Sequence, residues 1–299
     1  MNVLISGSRG LIGSEITPRL KKNGHQVSRM VRSAKDATAS DFVWNPMTGE
    51  VTGDLTGIDA FIHLAGESIA SGRWTDEKKK QIRESRIKGT TLLSETIAKL
   101  DSPPKVMVCA SAIGFYGDRG SEVLDENSPV GNGFLAELCK EWEEATAPAR
   151  QSGIRVVNAR IGVSLSPKGG ALSKMLLPFQ MGAGGNVGDG RQYMSWISID
   201  DVAQAIVFCV ENDSVSGPVN LTAPEPVPNS TFTKALGAVL SRPTIMPMPA
   251  FMARTLLGEM ADELLLSSAQ VMPKKLLAAG FVFEYPEIEG ALRHVIKGN

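Results

Sequence analysis

The chain has 299 residues, 42% of them hydrophobic and 21% charged, with a net charge of −1 and a pI near 6.4. Such balance leaves no basic footprint for nucleic acid or an anionic membrane, and no apolar run approaches the ~20 residues of a membrane helix. Cys109, Cys139 and Cys209 are scattered and odd in number, so neither a disulfide framework nor a zinc pattern is present. The N-terminus has no signal-peptide pattern, and a cytoplasmic protein is expected. His25, His63 and His294 are isolated, and no metal site is expected.

In chain order, Val3–Ile5 predicts a short strand and Leu11 to Lys22 a helix, with Leu11, Ile12, Ile16 and Leu20 at helical spacing and Asn23-Gly24 as its stop. Gln26–Val31 reads as the second strand; Ala60–Leu64 and Val106–Ala110 are apolar runs of the kind buried in parallel sheets. Asp76 to Leu100 predicts one long helix, broken by Pro103-Pro104. A helix over Leu135–Arg150 precedes a strand at Val156–Ala159. Strands separated by helices predict an α/β fold with a doubly wound parallel Rossmann sheet. Beyond Leu165 the chain is rich in glycine and proline. Tyr193–Ile199 reads as a strand and Val202–Val210 as a helix capped by Asp200, with short helices at Ser230–Leu240, Ala250–Leu257 and Pro273–Ala279. The expected division is a dinucleotide-binding domain over 1–164, to which 193–212 returns, and a smaller α/β substrate or cap domain from 165–192 and 213–299.

GSRGLIG (Gly7–Gly13) lies where the first strand meets the first helix. Gly7 permits the tight turn, Gly10 lets backbone approach a pyrophosphate, and Gly13 lets helix and strand pack closely. The spacing is GxxGxxG rather than GxGxxG, and its position in a βαβ unit gives it weight. NAD binders place an acid at the end of the second strand; this chain has SRMVRS there. Arg32 and Ser33, with Arg9 in the loop, suit a 2′-phosphate, so NADP(H) is expected over NAD(H). The plainer reading of Arg32 is a solvated charge.

These residues resemble the extended short-chain dehydrogenase/reductase family, which includes sugar-nucleotide epimerases and dehydratases. GSRGLIG resembles its cofactor loop, HLAGE (His63–Glu67) the motif after its fourth strand, RIKGT (Arg86–Thr90) its N-V-x-G-T segment, SAIGFYG (Ser111–Gly117) its active-site strand end, and SWISIDD (Ser195–Asp201) its F-x-x-V-D-D segment. LAGESIA, Arg73-Trp74, CKEWE and the ending PKKLLAAGFVFEYP resemble an epimerase-like branch of unsettled activity with a small C-terminal domain. The resemblance implies that Gly7, Arg9, Gly10, Leu11, Ile12, Gly13, Arg32, Ser33, His63, Leu64, Ala65, Gly66 and Arg86 form the cofactor site.

The resemblance breaks at the chemistry. The family's Tyr-x-x-x-Lys pair falls on Leu135 and Cys139, or on Ala136 and Lys140 in the other register; neither restores it. The Arg that grips a substrate diphosphate is Met194 here, and Arg191 falls on the opposite face of a strand. Ser111 and Tyr116 are the remaining candidates for polarising a carbonyl, with Glu67 as a third; each also has a purely structural reading. Gly182–Gly190 lacks a P-loop Lys and is expected to wall a cleft. Leu176, Phe179, Met181, Met194 and Trp196 would make that cleft apolar, or else form core. Met246, Met248, Met252 and Met260 are expected as core filler. Three functions fit: an NADP(H)-dependent oxidoreductase of a small, partly apolar carbonyl or alcohol; an epimerase or dehydratase recycling its nicotinamide; or a non-catalytic NADP(H)-binding sensor or partner-binding module. A monomer or homodimer is expected, with a small molecule as the partner.

Overall fold

The computed structural model describes every residue except 34, 36, 39, 40 and 299. Its strands are β1 (Asn2–Ser6), β2 (Gln26–Val31), β3 (Phe42–Asn45), β4 (Glu50–Thr52), β5 (Ala60–His63), β6 (Val106–Ala112), β7 (Val123–Leu124), β8 (Arg155–Ile161), β9 (Val163–Leu165), β10 (Tyr193–Met194), β11 (Trp196–Ser198), β12 (Gly217–Leu221), β13 (Val227–Pro228) and β14 (Gln270–Val271). Its helices are α1 (Leu11–Lys22), α2 (Asp76–Ala98), α3 (Phe134–Glu144), α4 (Ala147–Gln151), α5 (Gly170–Gln180), α6 (Ile199–Glu211), α7 (Asn229–Leu240), α8 (Ala250–Leu257), α9 (Glu259–Ala261), α10 (Lys274–Ala278) and α11 (Ile288–Lys297).

Eight strands form one sheet in the order β12-β8-β6-β5-β1-β2-β3-β4. Its pairs are parallel except β3 with β4. From β1 the chain winds outward through β2 and β3 on one side, and through β5, β6, β8 and β12 on the other. The order reverses between β1 and β5, and open α/β sheets bind ligands at the carboxyl ends of strands at such a point. Alternation along the strands divides the core. Val3, Ile5, Ile62, Val108 and Val157 pack on α1 and α6. Leu4, Phe61, Met107, Cys109 and Val156 face the other way, onto α2, α3 and α4. A third cluster joins Leu172 and Phe179 of α5, Trp196, Phe232 and Leu236 of α7, and Leu292 of α11.

Three expectations change. The helix read over Leu135–Arg150 is two helices, because Pro148, which has no N–H to donate, is accommodated in the first turn of a new one. The cap of α6 is Ser198, whose Oγ accepts from the Asp201 amide, not Asp200; Asp200 instead meets Arg19 and His294. Gly217–Leu221, read as part of the smaller unit, is the edge strand of the central sheet, paired in parallel with β8.

Asp201 is 2% exposed, and its carboxylate accepts from Ser198 Oγ (2.9 Å) and from the amides of Glu284 (2.8 Å) and Tyr285 (3.0 Å). It thereby ties the C-terminal segment to α6. Asp201→Ala leaves those donors unpaired and should cost about 2–3 kcal/mol, read as a lower urea midpoint at unchanged slope.

Candidate functional site

The loop between β1 and α1 is shaped by contacts that only glycine tolerates. Gly7 has φ +75°, and a Cβ there would lie 2.8 Å from the Ala65 nitrogen. A Cβ on Gly13 would lie 2.3 Å from the Gly7 carbonyl oxygen. The loop closes with a hydrogen bond from Gly10 N to Gly7 O (2.9 Å), and Gly10, in extended conformation, starts α1 with no side-chain cap. The first amides of α1, from Leu11, Ile12 and Gly13, therefore have no partner within the helix and present a donor-rich, positive helix end. This is the cradle a pyrophosphate needs, and its lateral wall is the backbone of Leu64 and Ala65 at the end of β5.

The flanks carry charge. Arg32, exposed, and Ser33 follow β2, and exposed Arg9 stands at the loop tip. Glu67 pairs with Lys78 (Oε1 to Nζ, 2.6 Å), which holds its carboxyl below the usual range, with the Arg32 and Arg86 charges adding to that pull. Arg86, on α2, donates from Nη1 to the carbonyls of Glu67 (2.9 Å) and Ile82 (3.3 Å) and lies over the Trp142 ring at 4.9 Å. A Cβ on Gly66 would stand 3.5 Å from the Arg86 guanidinium carbon. Its charge reaches the Cys139 thiol, which burial nonetheless pushes up to about 12.

His63 does not offer its ring to this cradle. It is fully buried in the sheet, between Ser6 (Oγ to Nδ1, 2.5 Å) and Thr90 (Oγ1 to Nε2, 3.1 Å). Only the backbone around it can serve a ligand.

Ser111 and Tyr116 are brought into one network, but inside the protein. Ser111, 3% exposed, donates to Glu143 Oε1 at 2.8 Å. Arg160 grips both oxygens of Glu143, through Nε (2.7 Å) and Nη2 (2.8 Å), and donates from Nη1 to the Tyr116 hydroxyl at 3.0 Å. The Tyr116 hydroxyl donates in turn to Asn220 Oδ1 (2.7 Å), and burial pushes its pKa up to about 12. Tyr116 is fully buried. Both hydroxyls are thus engaged by protein groups. Sequence reasoning missed Arg160 and Asn220. The signal was available: a charge inside the apolar strand VVNARI must have a buried partner.

A model of the NAD dependent epimerase/dehydratase family matches residues 3–221, and a domain of unknown function (DUF1731) matches 248–295. The chain belongs to the NAD dependent epimerase/dehydratase family. An epimerase family protein of Mycobacterium bovis is 46% identical over 291 residues, covering 97% of this chain and 96% of that one. The crystal structure of the human epimerase family protein SDR39U1 with NADPH is 33% identical, with a TM-score of 0.92 and full coverage of both chains. A nucleoside-diphosphate sugar epimerase from Corynebacterium glutamicum is 38% identical with a TM-score of 0.82, over 99% of this chain and 58% of that one.

In this member of the family, Leu135 and Cys139 sit beside Gly114, where a Cβ would lie 3.1 Å from Leu135 Cβ and 3.8 Å from Cys139 Sγ. Of the apolar-cleft candidates, Trp196 and Phe179 are core, Met181 is 74% exposed, and Leu176 and Met194 flank the third cluster. Met260 is buried, whereas Met246, Met248 and Met252 are 57%, 36% and 44% exposed, so these three are surface rather than core filler. Their segment runs beside Gly184–Gly188, with the Met246 amide bonded to Gly184 O (3.1 Å) and the Met248 amide to Asn186 O (2.8 Å), leaving their side chains outside.

Burial lowers the His63 pKa from 6.5 to about 4. Between those values the unfolded chain binds a proton that the folded chain does not. Stability therefore falls as pH drops below 6.5, and the loss levels off below about pH 4 at about 3 kcal/mol. In His63→Gln, the slope of unfolding free energy against pH over this window should flatten by about one proton; an unchanged slope would assign the titration elsewhere.

Proposed function

We propose that this chain is an NADP(H)-dependent oxidoreductase acting on a small, partly apolar carbonyl or alcohol. The observation that carries the cofactor half is the glycine cradle beside a strand end that bears Arg32 and Ser33 and no acid. The amides of Leu11, Ile12 and Gly13 would hold the pyrophosphate, and Arg32, Ser33 and Arg9 the 2′-phosphate. The human relative crystallised with NADPH supports the same choice. When bound, the nicotinamide supplies or accepts hydride.

For the reaction, the half-buried Arg86 is the group we favour. It is held by the carbonyls of Glu67 and Ile82 and by the Trp142 ring, and its charge is felt at Cys139, one of the two positions, with Lys140, on which the family's lysine falls. A fixed cation there stabilises negative charge developing on a carbonyl oxygen without donating a proton. The oxygen then takes its proton from solvent, because the hydroxyls of Ser111 and Tyr116 are committed to Glu143 and Asn220. That same commitment favours a second reading, a non-catalytic NADP(H)-binding sensor.

Arg32→Ala should weaken NADPH binding by about tenfold and leave NADH nearly unchanged, measured by fluorescence titration. Arg86→Met should lower kcat/KM for NADPH-dependent reduction of small carbonyl compounds by about 100-fold, with partial recovery in Arg86→Lys. Turnover by Arg86→Met at the wild-type rate would remove Arg86 from the reaction. No turnover by the wild-type protein across a broad carbonyl panel, with tight NADPH binding retained, would favour the sensor.

A further inference from the structure

On the α3/α4 side of the sheet, the helices stop short of the edge strand β12. The gap is a groove of about 510 Å³ above β8 and the start of β12, within the range of small-molecule sites. Its apolar lining includes Phe115, Ile154, Val156 and Pro218. The groove lies beyond the Glu143–Arg160 pair, which closes it on the side of Ser111.

Asn158 lies in its lining and is 4% exposed. Its amide oxygen has no hydrogen-bond partner among the described residues. A buried amide oxygen left so costs roughly 1–3 kcal/mol. Buried amides in native proteins are nearly always paired, so this one calls for a group the chain does not supply.

The rim is cationic. Four cations, Lys140, Arg150, Arg155 and Arg160, line the groove against two carboxylates, Glu143 and Glu144. Arg155 is spent on the carbonyls of Cys209, Val210 and Val215, and Arg160 on Glu143. Lys140 has only a 3.9 Å contact with Glu144, and Arg150 makes no ion pair among the described residues.

We propose that this groove is a second small-molecule site, distinct from the cofactor cradle, for a carboxylate with a flat apolar body and a hydroxyl at its other end. The carboxylate meets Lys140 and Arg150, the body lies between Phe115 and Pro218, and the hydroxyl pairs with the Asn158 amide. The charge pattern rejects cations, and the apolar walls reject a bare phosphate.

The probe is 4-hydroxybenzoate, titrated calorimetrically into the NADPH-saturated protein, with 4-hydroxybenzamide as its uncharged counterpart. Saturable binding of the benzoate is expected, with the benzamide weaker and NADPH affinity unchanged. Arg150→Glu, at an exposed position, and Asn158→Leu should each weaken the probe by about tenfold, or about 1.4 kcal/mol. Absence of saturable binding, equal binding by Arg150→Glu, or competition with NADPH would overturn the proposal. So would a higher Tm in Asn158→Leu with the probe still bound as in wild type, since the amide would then have no part in the site. If Asn158→Leu does not fold, Arg150→Glu decides alone.

Discussion

The ion pair of Glu143 and Arg160 organises the region where the family's chemistry would be sought. Their side chains are 11% and 4% exposed, so both charges are taken out of water and only a close, two-point geometry makes that tolerable. The geometry is of that kind: both carboxylate oxygens are engaged, and Arg160 also lies over the Phe115 ring at 3.5 Å. Through it α3 is fixed to β8, Ser111 to α3, and Tyr116 to β8 and β12. Removing either partner would strand a buried charge, a loss far larger than that of a surface pair.

Such a pair restricts what its neighbours can do. A serine hydroxyl that donates to a carboxylate cannot donate to a substrate at the same time. A phenol whose pKa is pushed up to about 12 is a poor base, and a fully buried one reaches no ligand. The polar residues at this strand end hold the walls together. Arg86 is a partly open cation beside the cradle, and its three supports give it less freedom to move than the exposed Arg9 and Arg32.

The sheet and the cradle were legible because backbone physics sets them. Strand runs such as AFIH and VMVCA must be buried on both faces, and a glycine whose Cβ would sit 2.3 Å from a carbonyl oxygen permits no substitute. The edge strand GPVNL escaped, because its proline reads as loop, although proline is admissible at a sheet edge. The site was harder. Sequence spacing places Ser111 and Tyr116 near one another but says nothing of which way a side chain turns once Arg160, 44 residues from Tyr116, arrives on the neighbouring strand. The place of the His63 ring was hidden for a related reason: the motif that contains it bounds the cradle with its backbone, while its ring fills the interior.

The two halves of the function therefore rest on different kinds of constraint. A phosphate cradle is built from amides and from the absence of side chains, so it survives almost any change in the residues around it. A proton donor is a single side chain in one orientation, and one buried partner is enough to withdraw it. This chain keeps the first, while the family's Tyr-x-x-x-Lys pair is absent and the hydroxyls of Ser111 and Tyr116 are bonded within the protein. Its cofactor is consequently read from local sequence. Around the cradle, Arg9 and Arg32 are exposed and Arg86 is partly open, whereas Ser111 and Tyr116 are buried in internal pairs.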